Sequence, residues 1–178
     1  MTDWFSVAVW SLVGTWALVV GTLILMYWQT RTGQRLNSAN AVMALRERFD
    51  TPHMRVARRH LSERLLAQAP DDLSSVEVVT FFELVGTLTH RGLLDQDLVW
   101  EAFGSWVVAY YWGIRHPVDL VATIRKDLND PLVFHEFEWL HDMVVSIDVH
   151  RELATPAAVD NEASAHRILE LESQLAAT

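Results

Sequence analysis

An uninterrupted run without charged residues, from Trp4 to Thr30, is the strongest constraint on this chain. As a helix, residues 5–28 would be roughly 36 Å long at about 1.5 Å per residue. The apolar core of a bilayer is about 30 Å thick, so a helix of this length spans it with some tilt. Trp4 and Trp28 stand at its two ends, where aromatic residues are enriched in membrane helices. The run predicts a transmembrane anchor over residues 1–30.

A cleavable signal peptide is the competing interpretation of this run. Such a peptide carries a basic N-terminal region and a small-residue cleavage site. Asp3 is the only charged side chain before the run, and the bulky residues Tyr27 and Trp28 stand at its exit. Because neither feature suits a signal peptidase, the sequence favours a retained helix.

Basic residues follow the run but do not precede it. Arg31 and Arg35 come directly after it, and no Lys or Arg comes before it. The positive-inside rule then predicts a single-pass protein of the inner (cytoplasmic) membrane, with its N-terminus outside and residues 31–178 in the cytoplasm. Trp4, Trp28, Arg31 and Arg35 are predicted to lie at the membrane interface, where lipid is a partner.

Small residues recur on one face of the predicted anchor. Gly14, Ala17 and Gly21 are spaced at i, i+3 and i+7. A face of small residues lets two membrane helices approach closely, which predicts self-association or pairing with another membrane protein. The alternative is that glycine is simply common in membrane helices.

The net charge of −9 is unevenly distributed. Residues 1–68 carry eight Arg against four acidic residues, whereas residues 69–178 carry six basic against nineteen acidic residues. Nucleic-acid binding requires a basic surface, so the acidic distal part argues against nucleic acid as a partner. The chain contains no cysteine, which suits a reducing compartment without requiring one.

The part of the chain after the anchor is predicted to be all-α. Apolar residues recur there at helical spacing, and an alternating strand pattern is missing from the sequence. We predict a basic juxtamembrane helix over residues 31–50 and a compact cytoplasmic bundle of about five helices over residues 51–153. A linker and a tail helix are predicted over residues 154–178.

In two helices of the predicted bundle, the spacing of apolar residues indicates which side chains face the core. In the first, the inward face is predicted to comprise Met54, Ala57, Leu61 and Leu65, and the outward face Arg55, Arg58, Arg59 and Ser62. The second carries an aromatic stripe of Trp100, Phe103, Trp106 and Tyr110. This stripe predicts a core-facing surface, with stacking on a cofactor or a base as the alternative.

A series of short motifs follows in order along the predicted bundle. The motifs are Phe81-Phe82-Glu83-Leu84-Val85-Gly86, Gly92-Leu93-Leu94-Asp95, Val99, Phe103-Gly104, Tyr111-Trp112 and Phe137-Glu138-Trp139-Leu140. Over roughly residues 36–150, this series resembles a family of bacterial proteins of unknown function, the DUF4760 type. The resemblance implies an N-terminal membrane helix joined to a small helical domain. It implies no activity, since the family has none established.

Glu138 and His141 form the most metal-like pattern in the sequence, because i, i+3 spacing places both side chains on one helix face. A four-helix di-iron site needs two such Glu-x-x-His motifs and further glutamates, for which Glu83 is a candidate. The second motif is missing from the sequence. A hydrogen bond or an ion pair at the helix surface is therefore the favoured interpretation of these residues.

The sequence lacks a nucleophile with an accompanying base and orienting group. We therefore predict a membrane-anchored protein-interaction subunit, or an accessory subunit of a membrane complex, that works without catalysis and without a cofactor. The alternative is a metal- or ligand-binding helical-bundle enzyme that uses Glu83, Glu138 and His141.

Overall fold

A computed structural model of the chain describes residues 37–67, 76–116, 119–151 and 162–174. The predicted anchor lies outside these ranges, and so do the predicted interface and helix-pairing residues Trp4, Gly14, Ala17, Gly21, Trp28, Arg31 and Arg35. Within the described ranges, no helix has the length and apolar character needed to cross a membrane. The described residues from Ala39 onward belong to one compact unit.

Seven helices make up the regular structure of the described residues, which include no strand. In chain order they are α1 (37–49), α2 (Pro52–Leu66), α3 (Val76–His90), α4 (Gln96–Arg115), α5 (Leu120–Leu128), α6 (His135–His150) and α7 (Glu162–Ser173). The all-α class predicted from the hydrophobic periodicity is confirmed.

Polar and glycine residues end and start these helices with the expected local geometry. The side chain of Thr51 accepts a hydrogen bond from the backbone N–H of Met54, and Pro52 occupies the first position of α2. Gly92 follows α3 with a φ of 71°, in the left-handed region that glycine adopts without a Cβ clash. Asp95 caps α4 by accepting hydrogen bonds from two backbone N–H groups.

The core lies where α4 meets its neighbours. Helix α6 packs along α3 and α4, whereas α7 packs along α2 and α4. A cluster of phenylalanines from α1, α3, α4 and α6 fills the interior: Phe49, Phe81, Phe82, Phe103 and Phe137. The rings of Phe82 and Phe137 stack with centroids 5.4 Å apart. Each such aromatic pair stabilises the fold by about 0.5–1.5 kcal/mol beyond the effect of the area that it buries. The cluster therefore stabilises the contacts among these four helices.

Helices α1 and α7 contribute to this same core, although the sequence placed both outside the bundle of residues 51–153. Phe49 of α1 has no exposed surface, and Leu169 of α7 is 1% exposed. The sequence pattern shows that each helix has an apolar face but not which surface that face covers. The compact unit therefore extends beyond the predicted bundle at both of its ends.

Gly86 permits the close approach of α3 to α6. A Cβ atom added at this position would overlap the backbone carbonyl of Glu136, lying 2.8 Å from its carbon. Because backbone cannot move aside as a flexible side chain can, we expect Gly86→Ala to lower the free energy of unfolding by about 1–3 kcal/mol. Thermal unfolding of the full chain measures this loss. An unchanged transition would show that α3 and α6 do not approach as described.

Candidate functional site

Glu83 is the first of the three predicted metal-ligand candidates, and it caps a neighbouring helix. Its carboxylate accepts hydrogen bonds from the backbone N–H groups of Glu136 at 3.3 Å and Phe137 at 2.7 Å. These N–H groups belong to the first turn of α6, where they have no partner within the helix. A carboxylate is also favoured there by the positive end of the helix dipole. Glu83 therefore holds α3 against the N-terminus of α6.

Burial raises the pKa of the Glu83 carboxyl above its ordinary value, in spite of these two hydrogen bonds. The carboxylate of Glu136 raises it further, whereas the backbone hydrogen bonds lower it. The loss of hydration on burial thus outweighs the hydrogen bonds to the charged form. Folding favours the protonated form of Glu83.

A raised pKa predicts the direction of a pH effect on stability. The contribution of Glu83 is fully present below the pKa of the unfolded chain and is lost as the pH rises through the higher folded pKa. We expect the stability of the native chain relative to Glu83→Gln to fall as the pH rises from about 4, the ordinary range of a carboxyl pKa, upward. Urea unfolding of both proteins over a series of increasing pH values measures the difference. A difference that stays constant or grows with pH would contradict the prediction.

Glu138, the second candidate, forms an ion-pair cluster that holds α5 to α6. Arg125 contacts both of its oxygens, with N–O distances of 2.8 and 3.2 Å. Arg115 of α4 lies 3.4 Å from the same carboxylate. The hydrogen bonds to Glu138 raise the pKa of the Arg125 guanidinium, so the arginine stays charged. This bidentate contact is the geometry in which arginine binds carboxylates most specifically.

His141, the third candidate, packs against α4. Its ring stacks on Tyr111 with centroids 3.9 Å apart, and its Nδ1 lies 3.2 Å from the Asp142 carboxylate. Burial raises the pKa of the Tyr111 hydroxyl, so this phenol stays protonated well above neutral pH. His141 is 8% exposed and serves the contact between α4 and α6.

The three candidates thus serve three different contacts and do not form one centre. Glu83 caps α6, Glu138 binds arginines of α5 and α4, and His141 stacks on α4. Across the described ranges, no group of three or more His, Asp or Glu side chains is arranged to hold a metal ion. Their chemistry in this structure is that of capping and pairing.

A buried polar network that the sequence did not predict lies between α2, α4 and α7. The carboxylate of Glu172 accepts hydrogen bonds from the Trp106 indole N–H at 2.8 Å and from the Tyr110 hydroxyl at 3.3 Å. Its Oε2 also lies 3.0 Å from Nε of Arg58. Glu172 is 6% exposed and Arg58 is 3% exposed. Burial raises the pKa of Tyr110, which keeps its hydroxyl protonated as a donor.

The surroundings of this network form what we call the α2–α4 groove, the surface of α2 and α4 that α7 covers. Gly113 forms part of its floor. A Cβ added there would lie 2.8 Å from Cδ1 of Leu65 and 3.2 Å from Cδ1 of Leu169. Ala165 and Leu169 of α7 are buried in the groove region and Glu172 reaches Arg58. The groove therefore combines an apolar contact around Gly113 with the polar network of Arg58, Trp106 and Tyr110.

The prediction that Arg58 and Ser62 face outward is wrong. Both are buried, because Phe49 of α1 and Glu172 of α7 cover that face of α2. The guanidinium carbon of Arg58 lies 4.1 Å from the Phe49 ring centroid, and Ser62 Oγ lies 3.3 Å from the Tyr110 hydroxyl. The signal in the sequence was the i, i+4 and i+8 spacing of Met54, Arg58 and Ser62 on one helix face.

Comparisons with known proteins show which family model the chain matches. A family model described as a domain of unknown function (DUF4760) matches residues 7–144. The matched stretch includes most of the charge-free N-terminal run and the helices from α1 into α6, and it ends before α7. No curated protein and no solved structure matches the chain.

Proposed function

The chain belongs to the DUF4760 family, and we propose that it is a membrane-anchored protein-interaction subunit that works without catalysis. The resemblance seen in its motifs is confirmed by the family match, which begins at residue 7 and not near residue 36. The matched stretch thus includes both most of the predicted anchor and most of the helical bundle. This continuity supports a protein whose domain acts beside a membrane.

The observation that carries the non-catalytic part of the proposal is the engagement of the candidate side chains. Glu83, Glu138 and His141 each stabilise a different helix contact. A catalytic acid, base or ligand must instead reach a substrate or an ion that lies within about 3 Å of it. Side chains that join helices suit a scaffold for binding another protein.

Anchoring and orientation follow from the sequence and complete the proposal. The charge-free run would cross the inner membrane once, and Arg31 and Arg35 would hold the following domain on the cytoplasmic side. Gly14, Ala17 and Gly21 would pair the anchor with another membrane helix. The partners are then membrane lipid and either another membrane protein or a second copy of the chain.

Reporter fusions test the anchored arrangement. We expect a reporter at Thr178 to be active on the cytoplasmic side and the chain to resist alkaline extraction from membranes, because its span is retained. Replacing Arg31 and Arg35 by Gln should lower the fraction of chains whose reporter lies on the cytoplasmic side. The same replacement at Arg55 and Arg64 should leave that fraction unchanged. A reporter active outside the cytoplasm, or a chain that alkali releases, would contradict the proposal.

A further inference from the structure

Charge is segregated among the described parts of the chain. Residues 37–67, which comprise α1, α2 and the turn between them, contain six arginines and three acidic residues. The other three described ranges together contain six basic and fifteen acidic residues. Helix α6 alone has four acidic residues and neither Lys nor Arg. The first described range is therefore the basic part of an otherwise acidic domain.

The turn between α1 and α2 pairs its acidic residue and leaves two arginines unpaired. The carboxylate of Asp50 lies 3.3 Å from Arg46 and 3.7 Å from Arg58. Arg48 and Arg55 flank the turn, the first exposed and the second partly exposed. Within the described ranges, neither of these two has a carboxylate at ion-pair distance. Their charges are thus directed to the surroundings of the protein.

Arg48, Arg55 and Arg59 form what we call the basic surface. Arg59 lies one helical turn after Arg55 on α2 and is 3.5 Å from Glu63, which reduces the charge of the surface without cancelling it. Val56 lies between the two arginines in the chain and is 38% exposed. Exposed arginines next to an exposed apolar side chain are the combination that helices use at the interface of an anionic membrane.

The basic helix α2 and the acidic helix α6 pack on different faces of α4. Tyr110 and Gly113 of α4 face α2, whereas Gly104 and Tyr111 face α6. Successive residues such as Tyr110 and Tyr111 point about 100° apart around a helix. A charged surface that attracts α2 therefore meets the domain on a different side from the four acidic residues of α6.

We propose that the basic surface contacts anionic lipid headgroups of the membrane in which the chain is anchored. This step rests on the proposed function, and it names the lipid chemistry that the domain recognises. Six residues, 31–36, separate the charge-free run from α1. Six residues span at most about 22 Å, so α1 begins within a short distance of the headgroups.

Electrostatics favours this arrangement over one in which the domain turns freely beside the membrane. Arginines close to an anionic leaflet are attracted to it, and the acidic helices are repelled by the same charge. Both effects are screened beyond about 8 Å at physiological ionic strength. The attraction therefore acts only when the basic surface lies at the headgroups, and the repulsion is smallest in that same orientation.

Since the chain contains no cysteine, a fluorophore can be attached at one chosen position. Val56→Cys places it on α2 beside the basic surface, and Ser146→Cys places it at an exposed position of α6. The labelled full chain is reconstituted into nanodiscs of phosphatidylcholine, or of equal parts phosphatidylcholine and phosphatidylglycerol. Each disc includes a small share of lipid with a nitroxide quencher on its headgroup.

We expect quenching at residue 56 to be about twofold stronger in the anionic discs than in the neutral discs. The difference should disappear at about 1 M salt, where the Debye length is about 3 Å. Quenching at residue 146 should be the same in both lipids. Equal quenching at residue 56 in the two lipids would overturn the proposal, and so would an equal increase at residue 146.

A charge-matched pair of variants tests whether the arginines are responsible. Arg55→Gln combined with Arg59→Gln should abolish the lipid dependence at residue 56. Arg91→Gln combined with Lys126→Gln removes the same charge from exposed positions on other elements and should preserve it. Equal effects of the two pairs would overturn the assignment of the basic surface. The comparison of the two lipids with native arginines stands without either variant.

The same experiment distinguishes this inference from the proposed function. If the chain is not retained in the discs, the anchored function fails and the inference fails with it. If the chain is retained but quenching at residue 56 does not depend on the lipid, only the contact with anionic headgroups is wrong.

Discussion

Arg58→Met is expected to lower the free energy of unfolding by about 3–5 kcal/mol, because it leaves the buried carboxylate of Glu172 without its cation. Methionine fills a similar volume, so the loss reports charge more than packing. The change also removes the guanidinium from the Phe49 ring, which lies 4.1 Å away. Denaturant unfolding of the full chain, followed by tryptophan fluorescence, measures the difference. Arg55→Met is the matched control, since Arg55 lies on the same helix and is only partly buried.

A double variant separates the ion pair from other effects of the arginine. Replacing Glu172 by Gln in the Arg58→Met background removes the stranded charge while the amide oxygen still accepts from Trp106. We expect this second change to recover part of the loss, with a coupling energy of about 1–3 kcal/mol between the two sites. Additive losses from the two single changes would mean that Arg58 and Glu172 do not form a pair in the protein.

Phe49→Ala is expected to cost about 3–5 kcal/mol, a loss typical of a buried phenylalanine. The Phe49 ring contacts Phe81 at 5.1 Å and Phe103 at 5.7 Å between centroids. Its removal leaves a cavity at the centre of the aromatic cluster. Met43→Ala serves as the control, because Met43 lies on the same helix and is 67% exposed. Equal effects of the two changes would show that α1 does not belong to the core.

The helices themselves could be predicted from the sequence because their signals are local. Thr51, Gly92 and Asp95 act within a turn of their own positions, so their spacing indicates where helices begin and end. The signal that predicted the aromatic stripe of α4 was likewise local, because it is the spacing of residues within one helix. Phe103 and Tyr110 are fully buried as predicted, whereas Trp100 and Trp106 are partly buried because their indole N–H groups reach the carboxylates of Asp148 and Glu172.

The polar contacts could not be predicted because each depends on a partner far along the chain. Glu83 caps a helix that begins more than fifty residues later in the chain. Arg58 pairs with Glu172, which lies in the tail helix that the sequence predicted outside the bundle. A charged residue on an amphipathic helix ordinarily faces water. Only the tertiary fold shows that α1 and α7 cover that side of α2. The same limit applies to Glu138 and His141, whose partners lie on α5 and α4.

Native mass spectrometry of the full chain, extracted from its own membrane in a mild detergent, tests the central claim most directly. The measurement reports bound polypeptides and bound ions or small molecules together, and these distinguish an interaction subunit from an enzyme built on Glu83, Glu138 and His141. We predict a complex of the chain with at least one further polypeptide, a second copy included, in fixed stoichiometry. A single chain that carries a stoichiometric metal ion or small ligand would contradict the account.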